Sequence, residues 1–217
     1  MAETSVSLIG SRAVLFHAEC PFDLAHQQRF WAMSDVAADW DGVREAVPGM
    51  TNLTLLLEDV PHDLDHLSVV LDALWHSGVR KDVEGKLLQI DLSYGGDGGP
   101  HLADVAEITG LSVDKVVELH SAQDYTVYAV GSHAGYCYLG GLDPRLETPR
   151  RKVPLTRLPG GSLSVAGLQT GVSASTGPSG WNTIGSADVR FFDPFREPAS
   201  LLKPGDRIRF NPIKVAA

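Results

Sequence analysis

The 217-residue sequence holds only two cysteines, Cys20 and Cys137, too far apart for a CxxC or zinc pattern. A structural disulfide is not expected of such a pair, and free thiols in a reducing cytoplasm are. No apolar run approaches the roughly 20 residues of a membrane span. The opening MAETSVSLIGSR lacks a basic stretch followed by an apolar one and reads as no signal peptide, so a cytoplasmic protein is expected. Cations are scarce too: 18 Lys and Arg against 27 Asp and Glu leave a net charge of −9. Nucleic acid rewards clustered cations, and only TPRRKVPLTR at 148–157 is dense in them. There is no GxSxG elbow, no P-loop Lys-Ser/Thr and no HExxH pair. What remains is 43% apolar and 21% charged, the composition of an ordinary globular protein.

The charge is unevenly placed. Residues 1–92 hold six basic and fifteen acidic side chains, whereas residues 93–217 hold twelve of each. That asymmetry puts a domain boundary near residue 92, with an acidic first domain (1–92) and a neutral second (93–217). In the first, SVSLIGSRAVLFHA predicts two strands around a Gly-Ser turn, and 24–40 has helical spacing. VREAVPGMTNLTLLLE at 43–58 predicts two strands joined at Pro48-Gly49. A second helix over 63–78 ends at Gly78, and LLQIDLSY at 87–94 predicts a closing strand. Strand–helix–strand–strand–helix–strand, with one extra strand in front, is the order of a ferredoxin-like α/β sandwich. The second domain begins with a glycine run and a helix pair. It continues in short β-type stretches (YTVYAVG, GSLSVAG, DVRFF, DRIRF) between Gly/Pro turns, as a closed or sandwiched β-structure does. The fold class expected is α+β.

The glycine run GGDGGP at 95–100 sits between a predicted strand and a predicted helix, where phosphates often bind. A domain hinge is the favoured account of it. LADVAEITGLSVDKVVELHS at 102–121 has the outline of a DNA-binding helix pair, but its second helix sets Asp114 and Glu118 against a single Lys115. It offers no phosphate footprint, and no nucleic-acid partner is expected. His62 and His66 are four apart on a helix without a third ligand, so no metal site is expected. His120 ends the second helix at the start of the polar, glycine-rich half, with His133 as its nearest rival. Arg150 and Arg151 lie in an extended, proline-held segment and must point to opposite sides. Gln169 and Thr170 sit between glycines, and their uncharged hydrogen bonding suits holding an amide or carboxylate.

These pieces resemble the KipI-like family, also called allophanate hydrolase subunit 1 or the B-type subunit of 5-oxoprolinase. The resemblance runs through EAVPGMTNLTL (45–55), YGGDGGPHLADVAEITGLSVDKVVELHS (94–121), YLGGL (138–142) and TPRR (148–151). It continues through GSLSVAGLQTGV (161–172), SGWNTIG (179–185), FDP (192–194) and LLKPGDRIRF (201–210). It implies a cyclophilin-like β-barrel after the N-terminal α+β domain. It implies ATP, with Mg, in an assembled complex, and ATP-dependent opening of a lactam or urea-type amide. Its partners would be a KipA-like second subunit (the C-type subunit of 5-oxoprolinase, or allophanate hydrolase subunit 2) and possibly the A-type, lactam-opening one. An alternative within the family is a non-catalytic protein that inhibits a sensor histidine kinase. The chain departs from the family pattern where Phe-x-Pro-Gly-Phe before YLG becomes SHAGYCY (132–138). It departs again at GLQTGVSA (167–174) and GPSGW (177–181). The residues expected to act are His120, as a proton-transfer group, and Gln169, with Tyr138, Arg150, Thr170 and Trp181 binding substrate.

Overall fold

A computed structural model describes residues 3–216, in two compact units that divide between Val83 and Glu84. In the first, β1 (Thr4–Ile9), β2 (Ala13–Ala18), β3 (Val43–Pro48) and β4 (Asn52–Leu57) form one antiparallel sheet in the order β1-β2-β4-β3. Alternation in β2 buries Val14, Phe16 and Ala18, and β4 adds Leu53 and Leu55. Against them lie α1 (Leu24–Ala38) and α2 (Leu64–His76), which contribute Phe30, Met33, Leu71 and Trp75. Phe30 and Trp75 approach to 4.9 Å between ring centroids. Burial of each such side chain contributes about 1.5–3 kcal/mol. Both helices begin on an aspartate: Asp23 accepts from the His26 N–H, and Asp63 from the His66 N–H. Gly78, at φ 75°, follows the end of α2 in the left-handed turn read from its sequence.

The strand at 87–94, expected to close this unit, does not belong to it. β5 (Leu87–Gly95) pairs in parallel with β13 (Arg207–Ala216) along its length and antiparallel with β12 (Asn182–Ser186). Its buried Ile90, Leu92 and Tyr94 enter the core of the second unit. The outer edge of the first sheet, beside β2, is held instead by β1.

The second unit is a closed seven-stranded barrel. Its further strands are β6 (Asp124–Val130), β7 (Cys137–Gly140), β9 (Ser162–Ala166) and β10 (Gln169–Val172), and the order is β10-β7-β6-β13-β5-β12-β9. β8 (Leu155–Leu158) and β11 (Gly177–Ser179) make a separate two-stranded ribbon. The stretch DVRFF at 188–192, expected as a strand, holds only an isolated bridge from Phe192 to Ser200 and otherwise runs as a loop. Mixed α+β architecture and a barrel in the second half are thus both present.

The helix pair serves the barrel. α3 (Leu102–Thr109) ends at Gly110, φ 69°, and α4 (Val113–Ser121) starts at Ser112, whose hydroxyl accepts from the Lys115 N–H. The face of α4 that a DNA reader would offer to bases buries Val116, Val117, Leu119 and His120 instead.

Candidate functional site

β10 lies between β7 and β9, so its pleat decides which candidate residues meet. Gly171 is paired with Tyr138 on one side and Ser164 on the other, while Thr170 is paired with Leu139 and Val165. Leu139 and Val165 are fully buried in the core. Successive strand residues face opposite ways, so Thr170 points into the barrel, and Gln169 and Gly171 point out of it. The joint role expected of Gln169 and Thr170 on one ligand is therefore corrected by the geometry of a strand.

The inward set is His120 and Thr170, both without exposed surface. The Tyr94 hydroxyl donates to His120 Nδ1 at 2.8 Å, and His120 Nε2 donates to Thr170 Oγ1 at 3.1 Å. The Thr170 hydroxyl in turn donates to the Ser164 carbonyl at 3.2 Å. The directions follow from the network, since the Thr170 proton is committed to a carbonyl. The ring stacks 5.2 Å from Phe210, and the Tyr125 hydroxyl donates to the His120 carbonyl at 2.7 Å. Burial pushes the imidazole down to about 3 and the Tyr94 phenol far up. His120 is a neutral, doubly bonded core residue, and the proton-transfer role expected of it has no route to solvent.

The outward set is Tyr138, Gln169, Arg150 and Trp181, none of them buried. Tyr136, which sequence reasoning left out, joins them. Its ring lies 4.8 Å from Tyr138, edge-on, and 6.4 Å from Trp181. The Tyr136 hydroxyl rests on Gly171, where a Cβ would come within 2.7 Å of it. Burial, then Tyr138, push the Tyr136 phenol up, and the Arg150 charge opposes them. The Arg150 Nε lies 3.8 Å from where a Cβ on Gly180 would be, one residue from Trp181. Arg150 makes no ion pair or side-chain hydrogen bond among the described residues. Its neighbour Arg151 turns away to Asp104, Nη1 to Oδ2 at 3.1 Å. The Gln169 carboxamide likewise bonds to none of the described residues. A free guanidinium, a free carboxamide and three aromatic rings thus share one outer strip of the barrel. That set suits a small planar ligand carrying an amide and an anionic group.

The glycine run is fixed by its packing against the barrel. A Cβ at Gly95 would lie 1.8 Å from the Ala216 carbonyl oxygen, and one at Gly99 would lie 2.4 Å from that of Ile184. The glycines are there because the backbone packs on β12 and β13. His101, next in sequence, completes that packing: its N–H donates to the Thr183 carbonyl, and its Nδ1 accepts from the Thr183 N–H at 2.8 Å. Among the described residues no three His, Cys, Asp or Glu side chains are grouped to hold a metal. Cys137 is buried, its thiol pushed up to about 12, and Cys20 is half-buried and free.

Residues 4–202 match the model of the carboxyltransferase domain, subdomain C and D. The chain is 41% identical over 213 residues to the B-type subunit of 5-oxoprolinase from Escherichia coli O157:H7, covering 95% of both chains. Among solved structures, TTHA0988 superposes with a TM-score of 0.75 at 31% identity over 94% of this chain, which spans 40% of that protein's length. The urea amidolyase of Kluyveromyces lactis superposes with a TM-score of 0.82 over 97% of this chain and 15% of its own. At 16% identity that likeness speaks to the fold.

Proposed function

The chain belongs to the family of carboxyltransferase domains, subdomain C and D, and from that premise we propose that it is one component of an ATP-dependent amidohydrolase of the 5-oxoprolinase kind. In this reading the reaction opens a lactam, or acts on a urea-type amide, together with a KipA-like second subunit. The first unit is read as a ferredoxin-like sandwich in which β1 stands where a last strand would, and the barrel as cyclophilin-like. The observation that carries the reading is the unpaired Arg150 guanidinium beside the Tyr136, Tyr138 and Trp181 rings, with the free Gln169 carboxamide on the same face.

Arg150 holds the ligand's carboxylate by paired N–H donation. Gln169 faces the amide, donating to its carbonyl and accepting from its N–H. Trp181 and the tyrosines supply a flat apolar wall. His120 and Thr170 act behind this wall, fixing β10 from inside the barrel. In this reading ATP with Mg acts in the assembled complex; among the described residues no three His, Cys, Asp or Glu side chains are grouped to hold a cation unaided. The test is co-expression with the KipA-like and lactam-opening partners, followed by ATP-dependent turnover of a panel of lactams and ureas. Turnover that Arg150→Ala lowers at least tenfold supports the reading. A correctly assembled complex that turns over none of the panel rejects it.

A further inference from the structure

The Tyr136 phenol is fixed at both ends. At its backbone, the Gly131 N–H donates to the Tyr136 carbonyl and the Tyr136 N–H to the His133 carbonyl, which closes the turn between β6 and β7. Gly135, at φ 80°, seats that turn so tightly that a Cβ there would lie 2.7 Å from the Phe192 Cβ. At the far end, a Cβ on Gly171 would meet the Tyr136 hydroxyl at 2.7 Å and its Cζ at 3.2 Å. The bare glycine is what lets the ring lie down on the outer face of β10. Edge-on contacts to Tyr138 and Trp181, at 4.8 and 6.4 Å, flank it.

A hydroxyl held this firmly is expected to have a partner. The buried Tyr94 and Tyr125 hydroxyls do, donating to His120 Nδ1 and to the His120 carbonyl. The Tyr136 hydroxyl makes no hydrogen bond to the described residues. Nor is it one of the fully shielded unpaired atoms, which are Arg29 Nε, His133 Nε2 and Arg151 Nε, so it keeps surface that a ligand can reach. Burial, then Tyr138, raise the phenol, and the Arg150 guanidinium stands near enough for its charge to oppose them. The phenol therefore keeps its proton at pH 7 and is a donor. In the family pattern Phe-x-Pro-Gly-Phe a phenylalanine takes this place, so the hydroxyl is what SHAGYCY (132–138) adds.

We propose that the Tyr136 hydroxyl is a specificity-determining donor of the outer-strip site, sharing one ligand carboxylate with Arg150, so that the chain takes a cyclic amide carrying an acid in preference to a neutral lactam or urea. This rests on the amidohydrolase reading above and narrows its substrate class. A guanidinium engages one edge of a carboxylate and leaves lone pairs on both oxygens. A neutral phenol supplies a further charge-assisted bond to one of them. A neutral lactam has no such oxygen to offer, and its amide remains with Gln169.

The test is NMR titration of the full chain labelled with 13Cζ-tyrosine, the Tyr136 resonance being assigned by its loss in Tyr136→Phe. The probes are 5-oxoproline, 2-pyrrolidinone (the lactam without the acid) and cyclopentanecarboxylate (the acid without the lactam). Both acids are expected to shift the Tyr136 resonance, and 2-pyrrolidinone to bind roughly tenfold or more weakly than 5-oxoproline. Tyr136→Phe weakens both acids by roughly three- to tenfold and leaves 2-pyrrolidinone unchanged. If Tyr136→Phe, with a normal melt, binds 5-oxoproline as tightly as wild type while Arg150→Ala loses it, the proposal is overturned and the amidohydrolase reading survives. If Tyr136→Phe weakens 2-pyrrolidinone as much as 5-oxoproline, the hydroxyl does not serve the acid, and the proposal is again overturned. If wild type binds neither 5-oxoproline nor 2-pyrrolidinone, alone or with its KipA-like partner, the outer-strip reading itself is wrong and this proposal falls with it.

Discussion

His120 makes the barrel acid-sensitive in a way that can be separated from every other titrating group. In the unfolded chain its imidazole titrates at its ordinary 6.5, and in the folded barrel burial holds it down to about 3. The folded value is the lower one, so below pH 6.5 the unfolded state binds the extra proton. Stability from this group is complete above pH 6.5 and declines as the pH falls toward 3. Between pH 7.5 and pH 5 the decline amounts to about 2 kcal/mol. The side chain has no exposed surface, so solvent screening does not reduce it.

His120→Gln is the perturbation of choice, because a carboxamide still accepts from Tyr94 and donates to Thr170 but does not titrate. It costs on the order of 1–3 kcal/mol at pH 7.5 through imperfect fit. The assay is native-state hydrogen exchange of peptides covering β7, β9 and β10, which reads the barrel apart from the first unit. His101 and His133, which burial also lowers, and Asp143, held at about 2 by Arg145, titrate in both proteins and cancel in the comparison. Wild type is expected to lose about 2 kcal/mol more than the variant from pH 7.5 to 5. Equal losses in the two would show that His120 takes up its proton without opening the barrel, and the network argument would be wrong.

Three further outcomes are expected. Gln169→Ala, which removes a carboxamide with no partner among the described residues, leaves the thermal melt unchanged and lowers kcat/KM of the assembled complex several-fold, by about 1 kcal/mol or more; steady-state kinetics beside a melt on one preparation check it. His101→Leu strands the buried Thr183 N–H and destabilises the barrel by about 1–3 kcal/mol in hydrogen exchange, whereas His101→Asn retains an acceptor and recovers part of it. Co-expressed with its KipA-like partner, the chain elutes as one complex at micromolar concentration, with an interface above about 2,000 Å²; separate elution refutes that partnership.

The parts of the fold legible in the sequence are those governed by neighbours along the chain. Asp23, Asp63 and Ser112 start helices because a short acceptor there meets a free N–H, and Gly78 and Gly110 end them because φ is positive. The place of β5 was not legible. Alternation in LLQIDLSY tells which residues are buried, and nothing local tells that the partner strand begins at Arg207. The candidate site divides in the same way. The glycine-bounded segment at 167–171 leads into β10, on which adjacent Gln169 and Thr170 belong to opposite faces. A signal against His120 was also present: it stands four residues after Val116, on the apolar face of its own helix. Tyr136 and His133 carried no such pattern. Their positions depend on Gly135 meeting Phe192, nearly sixty residues on, and only the folded chain brings those together.

The barrel is filled from within. Leu139, Val165, Val172, Ile208 and Phe210 close on one another, and His120 enters from α4 with every polar atom of its ring engaged. His120 and Thr170 are thus spoken for inside, whereas the Arg150 guanidinium and the Gln169 carboxamide, without a side-chain partner among the described residues, lie on the outer side of the barrel. A site on an outer wall is open to water on its other side. Amide opening through an activated carbonyl needs that side closed, both to strengthen the Arg150 and Gln169 contacts and to keep the activated species from bulk solvent. On the function proposed above, the missing wall is the KipA-like partner, and the outer strip is where it must come closest. Arg150 then has a double duty that separates the two roles: its guanidinium is wet in the single chain and dry in the complex. The effect of Arg150→Ala on ligand affinity should therefore be larger in the complex than in the chain alone, measured by titrating 5-oxoproline into each. An equal effect in both would place the KipA-like partner elsewhere.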